Sequence, residues 1–320
     1  MPNGNGRNPD DDSIRERSRR VLFICNKTSG KAAEAKDEAV AHLSRHEHIM
    51  LTIADCPDRS RLSDFIIDQK KSCDLVVLGG GDGTINAAAR GLIAAQVPLG
   101  IIPLGTANDL ARTLGIPEDL QQATDIIANG IERRIDLGEI NGIPFFNVAS
   151  IGLSTDLAMQ LSSGIKKRFG KIGYVFAAIS SMFRARSFHA TIESQAGTVD
   201  VRTFQIAVGN GLFYGGGMAI EQNAKIDDGT LDLYSLELGG AWKLALVAPS
   251  LRTGDHQAVP EIRAESGTCF KVRTRRRRPI NADGEILART PAEFRILPRA
   301  IAVMTAVDAP GITGADGAAV

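Results

Sequence analysis

The sequence predicts an α/β protein in two parts, a doubly wound N-terminal domain followed by a C-terminal, mainly antiparallel, β-sandwich-like domain. Three observations predict it. Continuous apolar runs alternate with helical stretches up to about residue 131, the pattern of a parallel sheet covered on both faces. Beyond that point short alternating runs crowd together, the pattern of antiparallel strands. A length of 320 residues is enough to bury more than one core.

The elements follow in order. Val21 to Cys25 (VLFIC) reads as a buried strand, followed by the turn-like NKTSGK and a helix from Ala32 to Arg45. Ile49 to Ala54 is the second strand, Ser60 to Lys70 a helix, and DLVVLG a third strand ending at Gly79. A helix from about Thr84 to Ala95 leads to the strand PLGIIPL, a helix beginning near Thr106, and another from about Asp119 to Asn129. In RRIDLGEINGIPFFNVASIG the Asn141-Gly142 pair signals a hairpin. Helical stretches are expected at about Leu153 to Ser162 and Lys171 to Arg184. The runs FHATIES, VRTFQIAVGN, TLDLYSLEL, PEIRAES, TCFKVRT, AEFRILP and IAVMTAV then read as strands. The expected organisation is a disordered tail over 1–20, an α/β domain over 21–131, a β-rich domain over 132–306 and a disordered tail over 307–320.

Composition narrows the class. The hydrophobic fraction of 43% and charged fraction of 23% are ordinary for a globular protein. Lys+Arg and Asp+Glu each total 37, so net charge selects no partner. Cys25, Cys56, Cys73 and Cys269 are scattered, with no C-x-x-C pair and no histidine at ligand spacing, which argues against a zinc site or a disulfide framework and fits a reduced cytosol. The polar start lacks the apolar core of a signal peptide, and Tyr174 to Phe183 is about half the length a membrane span needs.

The sharpest motif is LVVLGGGDGTINAAARGL, Leu75 to Leu92: a buried strand, a run of glycines with Asp82, and Thr84 opening a helix. Glycines let a backbone approach an anion closely and adopt positive φ, and the helix start supplies N–H groups and the positive dipole end. Neither G-x-x-x-x-G-K-[ST] nor G-x-G-x-x-G is met, and a tight turn without a ligand is the plainer alternative. A second strand-to-helix turn follows in IIPLGTANDLARTLGIP, where capping alone is the plainer role for Asn108 and Asp109. In a parallel sheet both turns stand at the carboxyl ends of strands, where α/β sheets bind ligands.

GGDGT at Gly80 to Thr84 and PLGTANDLARTLGIP at Pro103 to Pro117 resemble the diacylglycerol kinase catalytic domain of bacterial lipid kinases, related to the sphingosine and ceramide kinases. The resemblance runs from about residue 20 to 305 and implies a nucleotide-binding first domain, a sandwich-like second domain, and an active site between them. It implies ATP contacts at Asn26 in the first turn (with Ser29-Gly30, and Lys27 where the family has proline) and at Thr52. It implies further contacts at Gly80, Gly81, Asp82, Gly83, Thr84, Ile85 and Asn86, and at Gly105, Thr106 and Asn108 of the second turn. Ala87 departs from the glutamate that the family commonly carries there.

INADGEIL, Ile280 to Leu287, places Asp283 and Glu285 two apart, which on an extended segment turns both carboxylates to one face. Such a pair can take a proton from an alcohol, and a plain Asp-Gly turn is the alternative. The resemblance makes Asp283 the base and Glu285 its partner, with the roles open to reversal. ATP implies Mg2+, with Asp82 placed to contribute. In KIDDGTLDLYSL the resemblance implies a structural Mg2+ held by Asp228 and the carbonyls of Lys225 and Thr230, against a plain turn. GNGLFYGGGM, Gly209 to Met218, resembles the family's glycine-rich segment beside the lipid, with a plain flexible loop as the alternative.

KKRFGKIGYVFAAISSMFRARS and the run RTRRRR, Arg273 to Arg278, are basic; anionic bilayers attract such segments, and a buried helix and a solvated hairpin are the alternatives. No aromatic-interleaved module accompanies them, so nucleic acid is not expected. The expected activity is transfer of a γ-phosphate to the hydroxyl of a membrane lipid: diacylglycerol first, a sphingoid, ceramide or phosphatidylglycerol otherwise. The expected enzyme is cytoplasmic, touches an anionic membrane peripherally, and is open to homodimer formation. An NAD-kinase-like or phosphofructokinase-like enzyme and a non-catalytic binding module are the alternatives.

Overall fold

A computed structural model describes residues 18–25, 31–55, 58–153, 186–210, 213–214, 218–219, 225–240, 243, 261–309 and 312. Both expected tails (apart from the few flanking residues just named), the turn holding Asn26, and the expected helices near 153–162 and 171–184 fall outside them.

In chain order the first elements are β1 (Arg19–Cys25), α1 (Lys31–Leu43), β2 (Ile49–Asp55), α2 (Leu62–Gln69), β3 (Leu75–Gly80), α3 (Asp82–Ala95) and β4 (Leu99–Pro103). Next come α4 (Asp109–Thr113), α5 (Leu120–Asn129), β5 (Ile131–Ile140), β6 (Ile143–Phe145), β7 (Val148–Gly152), β8 (Phe188–Ser194), β9 (Gly197–Thr203) and β10 (Gln205–Gly209). The last are β11 (Phe213–Tyr214), β12 (Met218–Ala219), β13 (Leu231–Leu236), β14 (Ile262–Gly267), β15 (Cys269–Thr274), β16 (Pro279–Ala282), β17 (Glu285–Arg289) and β18 (Ala292–Thr305).

Two compact units result, each discontinuous in sequence. The first joins residues up to Leu104 with Ile116–Arg133 and Ile301–Val307; the second holds Gly105–Gly115, Arg134–Ala300 and the chain from Asp308.

The first unit is a parallel sheet in the order β2-β1-β3-β4, with the last residues of β18 joining β4 in parallel at Val303 and Leu99. Val21 to Cys25, Leu75 to Leu78 and Leu99 to Ile102 are buried throughout, which is why these strands read as unbroken apolar runs rather than alternations. β2 lies at the edge and is only half covered, leaving Met50 and Ile53 exposed. Helix α2 packs on α3, and α5 packs on α1 and β4. The crossing of α2 and α3 runs through Gly91, where an added Cβ would stand 2.6 Å from the Ser63 carbonyl oxygen. The Ser63 hydroxyl bonds both sides of that contact, donating to Ala87 O at 2.8 Å and accepting from Gly91 N at 3.0 Å.

In the second unit, β14-β13-β10-β7-β16-β17 form one antiparallel sheet, and the start of β18 pairs with β15, β15 with β8, and β8 with β9 in another. Their facing side chains share one core, including Phe145, Ile151, Ile192, Val208, Leu233, Phe270, Val272 and Phe294. The Asn141-Gly142 pair closes the β5–β6 hairpin with φ of 49° and 84°, the doubly left-handed turn that suits twisted strands.

Two expectations need correction. AEFRILP and IAVMTAV form one 14-residue strand, β18, not two. It bends instead of breaking, because Arg299 takes φ 49° and gives its N–H to buried Asp136 at 2.6 Å. VRTFQIAVGN in turn divides at Phe204, where the buried Thr203 hydroxyl donates to the carbonyls of Gln205 and Leu236.

Gly91→Ala should destabilise the protein by about 1–3 kcal/mol, the usual cost of overpacking against a backbone that cannot move aside. Thermal unfolding measures it, and an unchanged midpoint would show that α2 shifts freely.

Candidate functional site

β1 is flanked by β2 on one side and β3 on the other, so strand order reverses at the carboxyl ends of β1 and β3, the place where open α/β sheets bind ligands. Cys25 and Gly79 stand opposite each other there. The turn leaving β1, with Asn26, is outside the described residues; the turn leaving β3 is well defined.

None of the glycines in that turn has positive φ; they are there for close approach instead. An added Cβ at Gly79 would meet the Phe23 ring and Cys25 Sγ at 3.2 Å, and one at Gly80 would meet Thr84 Oγ1 at 2.7 Å. The helix opens earlier than expected. Gly81, extended at φ −104° and ψ −175°, is the residue before it, and no side chain caps it. Its carbonyl accepts from Thr84 N at 2.8 Å and Ile85 N at 3.2 Å. Thr84 is therefore not the cap but a buried first-turn residue resting on Gly80. Asp82 in the first turn opposes the positive end of the helix dipole. Gly83 lies half-buried in the same turn. Ile85, 2% exposed, belongs to the core; Asn86 is half-buried. Thr52 is exposed on the edge strand.

β4 ends beside this turn: Pro103 is paired with Gly80, and Leu104 N donates to Gly80 O at 3.0 Å. The following residues, Gly105 to Asn108, belong to the second unit. Gly105 and Thr106 are exposed, while Asn108 is buried with φ 51°. Its side chain does not cap α4. It staples the turn, accepting from Gly105 N at 2.9 Å and donating to Gly105 O at 3.2 Å. Asparagine suits this position because its short amide can bond locally in a left-handed conformation.

Asp283 and Gly284, with φ of 48° and 89°, are the two turn residues joining β16 to β17. The segment is a hairpin turn and not extended, so the argument from alternating faces does not describe the pair. What fixes Asp283 is a different feature. Its Oδ2 accepts from Phe146 N at 2.7 Å, and its Oδ1 from Asn147 N at 2.9 Å and Val148 N at 3.3 Å. Its own N–H donates to Val148 O at 3.1 Å. Glu285, exposed, opens β17 opposite Ala282.

Sequence reasoning missed the asparagines behind this clamp. Asn210 Nδ2 donates to Phe146 O at 2.8 Å and Asp136 O at 2.9 Å, and Asn210 N donates to Asn147 O at 2.8 Å. Asn281 Oδ1 accepts from Gly284 N at 3.2 Å, tying the turn itself. Among the described residues the buried amide atoms Asn147 Oδ1, Asn210 Oδ1 and Asn281 Nδ2 have no hydrogen-bond partner. The clue in the sequence was three asparagines at strand ends beside glycine-rich or aromatic runs, a pattern too common to single out.

In the acidic turn, Asp228 Oδ1 accepts from Thr230 N at 2.9 Å and Thr230 Oγ1 at 2.8 Å, and Gly229 N donates to Asp136 at 2.7 Å. Burial, opposed by the N–H groups of Arg299 and Gly229 and reinforced by Asp228 and Asp227, holds the Asp136 carboxyl above its ordinary pKa. Burial does the same to Asp232, where Ser266 opposes it and Asp228 adds to it. The donors named for Mg2+ are hard oxygens in a crowded acidic neighbourhood, which suits that ion. Among the described residues no three His, Cys, Asp or Glu side chains form a metal cluster, so backbone carbonyls, including those of Lys225 and Thr230, and water would complete its shell.

A strand-to-helix glycine turn at a switch point is joined in sequence to a sandwich carrying a clamped carboxylate, and the comparisons assign this arrangement its class. Residues 20–140 match the family described as diacylglycerol kinase catalytic domain, and residues 147–305 the YegS C-terminal NAD kinase beta sandwich-like domain. A diacylglycerol kinase of Bacillus subtilis (strain 168) is 33% identical over 236 residues, covering 72% of this chain and 77% of the relative. One from Staphylococcus aureus (strain bovine RF122 / ET3-1) is 26% identical over 300 residues, covering 91% and 93%. A crystal structure of a Bacillus anthracis str. Sterne protein, provisionally named a diacylglycerol kinase, superposes with TM-score 0.78 at 25% identity, covering 93% and 97%. The chain belongs to the diacylglycerol kinase family, and it is a kinase.

Asn210→Ala leaves two buried carbonyls without their donor, and should cost about 1–3 kcal/mol of stability. Denaturant unfolding would read the loss; an unchanged midpoint would mean that water replaces the amide without cost.

Proposed function

We propose that this protein is an ATP-dependent lipid kinase that transfers the γ-phosphate to the hydroxyl of a membrane lipid, diacylglycerol in the first place. Membership of the family supports a lipid acceptor, and the names of its relatives support diacylglycerol. The observation that carries the chemistry is the Asp283 carboxylate, oriented by three consecutive backbone N–H groups.

In this reading Asp283 accepts the hydroxyl proton as the lipid oxygen bonds to the γ-phosphorus, while the bond from that phosphorus to the β–γ bridging oxygen breaks and ADP departs. A base works best when its position is fixed before the substrate arrives, and backbone donors fix Asp283 more firmly than mobile side chains could. Glu285, the next side chain along the hairpin, orients the acceptor. Gly80 and Gly81 admit the phosphates close to the backbone, and the first turn of α3 offers N–H groups and its dipole. Gly83 and Thr84 shape that turn. Gly105, Thr106 and Asn108 form the second turn of the nucleotide site, with Asn26, Thr52 and Asn86 completing the set and Ile85 anchoring the first turn in the core. Asp82 would hold a Mg2+ at the phosphates, which would supply charge neutralisation there. Asp228, with the Lys225 and Thr230 carbonyls, would hold a second, structural Mg2+. The enzyme works from the cytoplasm, touching the membrane peripherally.

Incubation with radiolabelled ATP and extracted membrane lipids tests the assignment. Label in phosphatidic acid is expected; label in NADP from added NAD, in line with the NAD kinase likeness of the second domain, would replace the lipid acceptor with a small molecule. Asp283→Asn should reduce turnover at least about a hundredfold, the low end for a general base, with ATP affinity retained. Near-normal turnover would remove Asp283 from the role. Gly81→Val should weaken ATP binding at least about tenfold by adding a branched side chain where the backbone must approach phosphate. Calorimetric titration giving unchanged affinity would dismiss the cradle.

A further inference from the structure

In the second unit, β9, β8 and β15 lie side by side, and their outward residues form rows across the sheet. His189 faces Arg202, and Arg273 faces Thr191, which faces Asp200. At the end of this face where β15 turns toward β16 lies a groove of about 440 Å³, lined by His189, Thr191, Asp200, Arg273, Thr274 and Arg275. That volume is enough for a small polar headgroup.

The charges around it are unbalanced. Asp200, the one acid in the lining, already accepts from the Thr191 hydroxyl at 2.6 Å. Arg273 is paired with Glu193 at 2.7 Å yet remains 63% exposed. Arg275, Arg276 and Arg277 are exposed and form no ion pair among the described residues. Elsewhere the guanidinium groups of Arg20, Arg263 and Arg295 each meet a carboxylate, at 2.6, 2.8 and 2.6 Å. The chain is formally neutral, so this is a local excess and not a general basic bias.

The arginine loop is also pinned. Thr274 Oγ1 donates to Arg276 O at 2.8 Å, and Arg278 and Thr290 exchange bonds at 2.9 Å, Arg278 N to Thr290 Oγ1 and Thr290 N to Arg278 O. The Arg278 guanidinium lies 4.1 Å above the Phe188 ring. Holding like charges together in an ordered loop costs stability, and a local cost without local return marks a binding surface. Planar guanidinium groups match phosphate oxygens in pairs.

We propose that the arginine loop and its groove dock this protein on an anionic phospholipid surface, with the groove receiving a phosphate headgroup. The inference rests on the lipid-kinase reading for its purpose, naming the face by which the enzyme meets its substrate's medium. Nucleic acid fits the face less well. His189 is the single ring among the outward residues of β8, β9 and β15 on which a base could stack, and Glu193 and Asp200 interrupt the path of a continuous phosphate backbone.

The test is co-sedimentation of the full chain with phosphatidylglycerol–phosphatidylcholine vesicles and with phosphatidylcholine vesicles alone. Binding only to the former is expected, weakening as salt rises. Arg275→Ala, Arg276→Ala and Arg277→Ala combined should lower partitioning about a hundredfold, at roughly fivefold per charge. The corresponding triple lysine variant should bind within a few-fold of the parent. Phosphorylation of lipid in neutral detergent micelles should be unchanged in both. The proposal is overturned if the alanine variant binds the anionic vesicles normally, if millimolar inorganic phosphate displaces the parent as effectively as it would a free-anion site, or if duplex DNA binds more tightly than the vesicles. Partitioning is measured without ATP, so a parent protein that phosphorylates no lipid would sink the kinase reading while leaving the docking question answered.

Discussion

The second unit is organised around one buried carboxylate. Asp136 is 1% exposed, and its oxygens take the N–H groups of Arg299 and Gly229 while its main chain bonds Ile226 and Asn210. Removing a carboxyl group from water is costly unless hydrogen bonds replace the lost hydration, so these partners are bound to that position as firmly as it is to them. The carboxylate thereby sets the bend of β18 and the acidic turn, and the main-chain carbonyl of the same residue, through Asn210, holds the Phe146–Val148 segment. That segment in turn holds Asp283. The geometry of the proposed base is thus inherited from the interior of the sandwich, several bonds away from any substrate.

The first unit depends on contact distance. Strands β1, β3 and β4 carry little functional chemistry; they are buried on both faces, and what they position is the turn at their carboxyl ends. Gly79 and Gly80 let the Phe23 ring and the Thr84 side chain come closer than a Cβ would permit, and Gly91 does the same between helices. A backbone without side chains at the end of such a strand is available to an anion because the neighbouring residues are locked in place. Rigid scaffold and open backbone are here one arrangement.

Much of this was legible in the sequence, for reasons that differ by element. Doubly buried strands announce themselves as VLFIC, LVVL and LGII, and the Asn141-Gly142 pair encodes its hairpin directly. The β18 strand was harder: Pro298 and the polar Arg299 look like an interruption, and only the carboxylate of a residue 163 positions earlier in the chain explains why the strand bends and continues. The same holds for Asn108 and Thr84. Capping was the plainer role for Asn108, and Thr84 was read as the residue opening its helix, while one staples a turn and the other fills the space over a glycine. Residue type predicts that a polar side chain will bond locally, but the partner is chosen by packing. Asn210 and Asn281 were invisible because their significance lies wholly in what they hold.

The Asp-Gly pair at 283–284 shows why the bland and the chemical readings of a motif need not compete. From the residues alone, a hairpin turn and a catalytic carboxylate are alternatives, with the turn the commoner; the family resemblance reverses that order. In the structure Asp283 is in the turn, and the turn is what would suit it to the proposed role. A left-handed φ of 48° and Gly284 at 89° turn the Asp283 side chain back across β7, where three successive N–H groups are open to it. An aspartate in an extended strand would have met at most the side chains of its neighbours, each with its own rotamer freedom. Backbone donors lose almost no entropy on engaging, because folding has already ordered them. The turn and the clamp together place a carboxylate with little freedom left to lose, which is the condition under which a general base is effective.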